Sequence, residues 1–286
     1  MILISLILTL LLSSLCLAFI SPTLVLKKEA MFVDAISHSV LPGIVLSFII
    51  TRTLDSFLFD LFAVLFSFLT ALLLKRIFNS LKISKESIIG LFYTFLFSIG
   101  VVMVVFFAND VHLDADAVLF GQVEYTVFDS LNFHFLPFLN FTHLKLLVCL
   151  TMLFIWFKFF SRKLYYESFD FSFANFKFKN IKYLNYLFYL FLSFVLILSF
   201  KILGVVLVLS LAIAPALIAK LFARNFDQMY LYSCLYAVSS SLIATYIAFS
   251  FDISIAGTIA FFNMLFLIFA NLLKTNFMHK NKRRDA

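Results

Sequence analysis

An aspartate and a histidine four residues apart, Asp34 and His38, interrupt the apolar stretch VDAISHSVLPGIVLSFII. Positions i and i+4 share one face of a helix, so the carboxylate and the imidazole point the same way, with Ser37 beside them. That pair suits either a borderline divalent metal ion or a proton relay. Four residues after His38 stands Pro42, which cannot donate the backbone hydrogen bond that the His38 carbonyl would otherwise accept. Asp34 by itself would read as a structural residue paired with Lys27 or Lys28. The presence of both groups on one face favours a functional role.

The elements that must position this pair are set by composition. Hydrophobic residues make up 64% of the 286-residue chain, charged residues 13%, and the mean hydropathy is +1.08. A soluble domain of this size does not reach such values, so the chain reads as a polytopic membrane protein. With a spanning helix needing roughly 20 apolar residues, nine spans are expected, near 3–26, 31–51, 56–74, 87–108, 142–160, 183–200, 203–221, 229–250 and 254–273, eight being the nearest alternative. Period-2 alternation is absent and the runs are too long for barrel strands, so the class is an all-α helical bundle. If the second helix begins near Met31, a rise of about 1.5 Å per residue places His38 roughly 10 Å deep. An ionised group at that depth is costly, about 2.5 to 3.5 kcal/mol for an aspartate at a helix centre.

The first apolar run has no positive residue before Lys27 and exceeds the length of a signal-peptide core, so it is expected to be retained. Basic residues then set the expected orientation. Two at 27–28, four from 75 to 85, six from 158 to 182, two at 220 and 224, and five from 274 to 284 place 19 of the 22 Lys and Arg on one side. By the positive-inside rule that side is cytoplasmic, with the N-terminus outside and a basic tail over 275–286 following a single membrane domain over 1–274. The net charge of +7 is thus a topology signal with some attraction to anionic lipid, and implies no nucleic-acid binding.

Two connectors stand out. The outward one carries Asp110, His112, Asp114, Asp116, Glu124 and Asp129 without a basic residue. Such a surface concentrates cations or meets a basic partner, although acids are also simply tolerated in translocated loops. The inward one, FKFFSRKLYYESFDFSFANFKFKNIKYL, reads as a basic, aromatic interfacial connector. In KILGVVLVLSLAIAPALIAKLFARNFDQM, an apolar helix containing Pro215 runs into Lys220 and Arg224, then Asp227. Local physics leaves two readings open here, an ordinary helix end or a contact surface.

Soluble catalytic motifs are missing. None of the six glycines stands in a phosphate-binding pattern, so any ATP driving this chain must be hydrolysed by another polypeptide. HExxH and GxSxG are absent too. Cys16, Cys149 and Cys234 lie in apolar runs without paired spacing and read as small core residues.

Three segments are similar to the membrane permease subunit of the ABC importers that handle zinc, manganese or iron. LVLKKEAMFVDAISHSVLPGIVLSF resembles that family's basic pair followed by a GDALSHAVLPG-like helix. AVLFGQV resembles its short outward element, and GVVLVLSLAIAPALIAKLFAR its Pro-Ala segment, followed by FDISIAGTIAF where the family has a Pro-Ser-Gly turn. Val33 departs from a frequent Gly, and Ala256 precedes Gly257 in that turn. The resemblance implies an inner-membrane homodimer without its own enzymatic activity, a cytoplasmic ABC ATPase and an external metal-binding protein. Carried over by position, Asp34 and His38 become metal-path residues, and Pro215 to Gln228 the ATPase contact. No permanently bound cofactor is implied, only a transported ion, zinc or manganese. A proton-coupled secondary carrier is the alternative, but no second DxxxH marks an inverted repeat.

Overall fold

The computed structural model describes residues 2–51, 57–80, 84–107 and 140–282. Among these residues the chain is a bundle of α1 (Ile2–Leu26), α2 (Phe32–Thr51), α3 (Phe57–Ser80), α4 (Lys85–Phe107), α5 (Phe141–Phe169), the short α6 (Phe171–Lys177), α7 (Ile181–Phe222), α8 (Phe226–Phe251) and α9 (Ile255–Lys282). Eight of them are long and apolar enough to cross a membrane. Asp110, His112, Asp114, Asp116, Glu124 and Asp129, expected on the outer side, lie with AVLFGQV outside the described residues.

The expected nine spans and the eight helices differ only at α7, where two expected helices are joined into 42 residues. Gly204 breaks that element with φ 76° and ψ 168°, a conformation open to glycine and strained for any residue with a Cβ. Asn185, before the break, accepts a hydrogen bond from Lys27 Nζ at 3.0 Å. Ala216 and Ala219, after it, pack on Val25 and Leu26 of the same α1 end. An unbroken helix would hold Asn185 and Ala219 about 50 Å apart. The chain therefore reverses at Gly204, and the two halves of α7 run back to one end of the bundle, as the expected break near residue 202 requires.

The inward connector is more helical than expected. α5 continues nine residues beyond the predicted end at 160, because Leu164 is buried and Glu167 meets Lys27 at 2.8 Å. Asp170 then ends α5 and begins α6 in one step. Its N–H donates to the Tyr166 carbonyl, and its carboxylate accepts from the Phe173 N–H at 3.0 Å, the role expected of an N-cap aspartate.

α1 lies at the centre, packed against α5, α7 and α8, while α2 is held between α3, α4 and α7. The core joins leucines of α1 to Phe32, Phe188, Tyr189 and Phe200. Outward faces of α4, α5 and α9 expose Leu91, Phe106, Phe159 and Phe261, the residue types that lipid tails or a second apolar surface would cover. Buried hydroxyls bond within their own helices, as Ser13 does to the Thr9 carbonyl and Ser47 to the Gly43 carbonyl.

Polar groups collect at the two ends of the bundle. At one end Asp60 sits between Lys145 (3.1 Å) and Lys201, beside the reversal at Gly204. At the other, Lys27, Glu29, Lys75, Glu167 and Tyr189 form a connected set. Lys145 and Lys201, two of the three basic residues expected on the outer side, share one carboxylate, and the inward group lies at the opposite end.

Candidate functional site

α2 starts at Phe32, which stacks on Tyr189 of α7 with ring centroids 5.6 Å apart. The turn that delivers it is tight. Lys28 takes a left-handed φ of 57°, and the Glu29 N–H closes on the Leu24 carbonyl at 2.9 Å. Tyr189 donates to Glu29 at 2.8 Å and accepts from Lys75 at 2.9 Å. The first turn of α2 is therefore anchored by an aromatic stack and two hydrogen bonds just before it presents Asp34.

His38 Nε2 lies 3.5 Å from Asp34 Oδ1, and the two side chains are 23% and 30% exposed. At that separation the contact is long for a hydrogen bond, so both groups keep capacity for a further partner. Neither makes another polar contact among the described residues. The imidazole plane is fixed from α4. Tyr93 stacks on it at 4.7 Å and 25°, and Phe97 meets it edge-on at 5.6 Å. Aromatic packing holds the ring without consuming its nitrogens.

One glycine lets α4 approach closely enough to do this. A Cβ at Gly100 would fall 2.8 Å from Pro42 Cδ and 3.0 Å from the Leu41 side chain. Pro42 thus contributes a packing surface one turn beyond His38. On the other side of α2, a Cβ at Gly43 would lie 3.2 Å from the Phe66 ring.

The structure brings Asp34 and His38 together and directs Ser37 elsewhere: its hydroxyl is buried and donates to the Val33 carbonyl of its own helix. Lys27, one of the two lysines a structural Asp34 would pair with, is bound instead to Glu167 and Asn185. No group of three or more His, Cys, Asp or Glu side chains that could hold a metal forms among the described residues. One copy of the chain thus offers two donors at this place, fewer than the four that close a structural zinc site.

At the α7–α8 turn, Pro215 is buried, whereas Lys220, Arg224 and Asp227 are exposed. Three residues, Ala223 to Asn225, separate the helices, and the Arg224 N–H donates to Gln228 Oε1 at 3.0 Å. A cleft of about 440 Å³ opens beside the turn, lined by Lys220, Arg224, Phe226 and Met229 with Leu26 and Phe169. This turn joins α1 to the end of α5 and offers a mixed basic and apolar surface to whatever binds there.

The residue reading overlooked His143 at the start of α5. It is 1% exposed, accepts from the Asn140 N–H at Nδ1 (2.9 Å), and therefore carries its proton on Nε2, which faces Thr9 Oγ1 (2.9 Å) and the Ser5 carbonyl (3.0 Å). Its partners on α1 are more than 130 residues away, and nothing near it in the sequence signals them.

Comparison with known proteins finds the ABC 3 transport family model matching residues 1–274. The zinc transport system membrane protein TroD of Treponema pallidum is 30% identical over 83% of this chain and 64% of its own length. The manganese transport system membrane protein MntD of Bacillus subtilis is 28% identical, over 83% of this chain and 80% of its own. Among solved structures, PsaBC from Streptococcus pneumoniae in complex with Fab matches with a TM-score of 0.77 at 22% identity, covering 94% of this chain and 90% of that one. The helical arrangement is thus a known one.

Proposed function

From the premise that this chain belongs to the ABC 3 transport family, we propose that it is the membrane permease subunit of an ATP-driven importer of divalent transition metal ions, zinc first, with manganese or iron served by the same donors. It works in the bacterial cytoplasmic (inner) membrane as a homodimer, N-terminus outside and basic C-terminal tail in the cytoplasm. An extracytoplasmic binding protein delivers the metal and a separate cytoplasmic ATPase supplies the power.

The observation that carries this reading is the Asp34–His38 pair, half-exposed inside a membrane-length helix with donor capacity unspent. An ion crossing a low-dielectric bundle must exchange water for protein ligands. The carboxylate supplies charge, and the neutral imidazole supplies a nitrogen that transition metals bind well. Two donors from each of two copies surround one ion. Because the set is split between chains, separating the copies on the inner side releases it. Lys220, Arg224 and Asp227, at the turn that follows the buried Pro215, form the surface through which the ATPase drives that movement. The outward carboxylates Asp110, Asp114, Asp116 and Glu124, with His112, gather the cation or receive the binding protein.

Metal content of cells lacking this chain, measured element by element, tests the reading. Zinc, or manganese or iron in its place, should fall and should not be restored by Asp34→Asn. Arg224→Glu should reach the membrane but lose the copurifying ATPase. Uptake that persists after ATP depletion would replace this reading with that of a proton-coupled carrier.

A further inference from the structure

A cleft of about 840 Å³ lies at the end of the bundle opposite Asp60, and neither Asp34 nor His38 lines it. Lys27, Glu29, Lys75, Arg76, Glu167, Ser168 and Lys182 line it, with Phe169, Phe171 and Tyr186 toward the rim. Its basic groups outnumber its acids, and Lys27 and Glu167 are buried together in its wall. Glu167 gives one oxygen to Lys27, whose own side chain is 6% exposed. Its other oxygen, Oε2, is buried without a hydrogen-bond partner among the described residues, as is the adjacent Ser168 Oγ. A buried carboxylate oxygen left unpaired is costly, and so is a buried hydroxyl. The carboxylate oxygen, an acceptor only, calls for a ligand that brings an N–H donor to it.

Toward the mouth the chemistry changes sign. Lys182 is exposed at the rim of the cleft, and its ammonium favours an anionic group there. Exposed Phe169, Phe171 and Tyr186 supply amphipathic and apolar surface of the type that sits at a membrane interface. The lining helices α1, α3, α5 and α7 are each long and apolar enough to cross a membrane, and each has an end here, the place at which a lipid headgroup would meet them.

We infer that this cleft binds the zwitterionic headgroup of an aminophospholipid, its primary ammonium donating to Glu167 Oε2 while its phosphate meets Lys182 at the rim. This inference goes beyond the transport reading and needs only that the chain span a membrane. A purely anionic lipid satisfies the mouth but provides no ammonium for the wall.

The test uses the purified full-length chain, delipidated and returned to phosphatidylcholine vesicles doped with phosphatidylethanolamine or phosphatidylglycerol, with copurifying lipid quantified by mass spectrometry. Phosphatidylethanolamine should be retained about tenfold over phosphatidylcholine, the factor expected from hydrogen bonds to a charged acceptor. Phosphatidylcholine carries the same phosphate without N–H donors, and phosphatidylglycerol carries a phosphate without an ammonium. Glu167→Gln should abolish the preference. Lys182→Gln, at the exposed rim where folding is not at stake, should reduce phosphatidylethanolamine retention severalfold at an unchanged melting temperature in phosphatidylcholine. Inorganic phosphate should not displace the lipid. Equal retention of the ethanolamine and choline lipids, preference for phosphatidylglycerol, full displacement by inorganic phosphate, or retention unaffected by Lys182→Gln would each overturn the assignment.

Discussion

Two histidines divide the molecule's polar chemistry between them. His143 is enclosed where α5 begins, both ring nitrogens bonded and the ring 1% exposed. His38 is braced only by aromatic rings, with one long contact to Asp34 and a side chain 23% exposed. The first imidazole joins two helices and has nothing left to offer. The second is oriented and uncommitted, which is what a transient ligand requires. The separation follows from how many of each ring's lone pairs and protons are already spoken for, since both residues lie within apolar helices.

The sharpest way to break the contrast is to remove each ring in turn. His38→Ala should reduce metal uptake to background while leaving the melting temperature of the purified protein nearly unchanged. Asp34→Asn should do the same, and the double variant should be no worse than either single one, because groups acting as a unit are non-additive. His143→Ala should do the reverse. Orphaning the buried Asn140 N–H alone costs about 1–3 kcal/mol, so the melting temperature falls while uptake per folded molecule stays within about twofold, a small effect beside the loss expected at His38. If His143→Ala abolished uptake at full stability, or His38→Ala destabilised the fold and transported normally, the roles would be exchanged.

A smaller effect is expected at the brace. Gly100→Ala places a methyl group 2.8 Å from Pro42, and relieving that overlap by parting α2 and α4 costs about 1–3 kcal/mol. The same movement withdraws Tyr93 and Phe97 from His38, so uptake should fall severalfold without vanishing. Unchanged uptake would show that the aromatic brace does not orient the imidazole. The smallest effect belongs to Gly90 on the same helix, where a Cβ meets nothing within 4 Å. Gly90→Ala should stabilise by up to about 1 kcal/mol through helix propensity and leave uptake alone, a control for substitution on α4 in general.

How far the sequence announces these features depends on the distance between partners. Asp34 and His38 were legible because i and i+4 are neighbours on any helix, whatever surrounds it. The helical class and the spans followed from composition and length. Tyr93 and Phe97 could not be read as partners of His38, since only the packing of α2 on α4 brings them there. Segment 161–169 looked like a connector because Arg162, Lys163 and Glu167 break its apolar run. It is helical because Glu167 finds Lys27 across the bundle. The fate of Ser37 was open for a similar reason, as its hydroxyl had a carbonyl of its own helix within reach.

The break at Gly204 turns on whether the number of crossings is odd or even. With the reversal, the described residues hold nine membrane-length segments, an odd number. Straightening α7 into one span would make the count even and carry α8, α9 and every basic residue after Lys220 to the other face. The positive φ at this one position therefore sets which end of the bundle α8 starts from, and Asp60, clasped by Lys201 three residues earlier, ties the turn to α3.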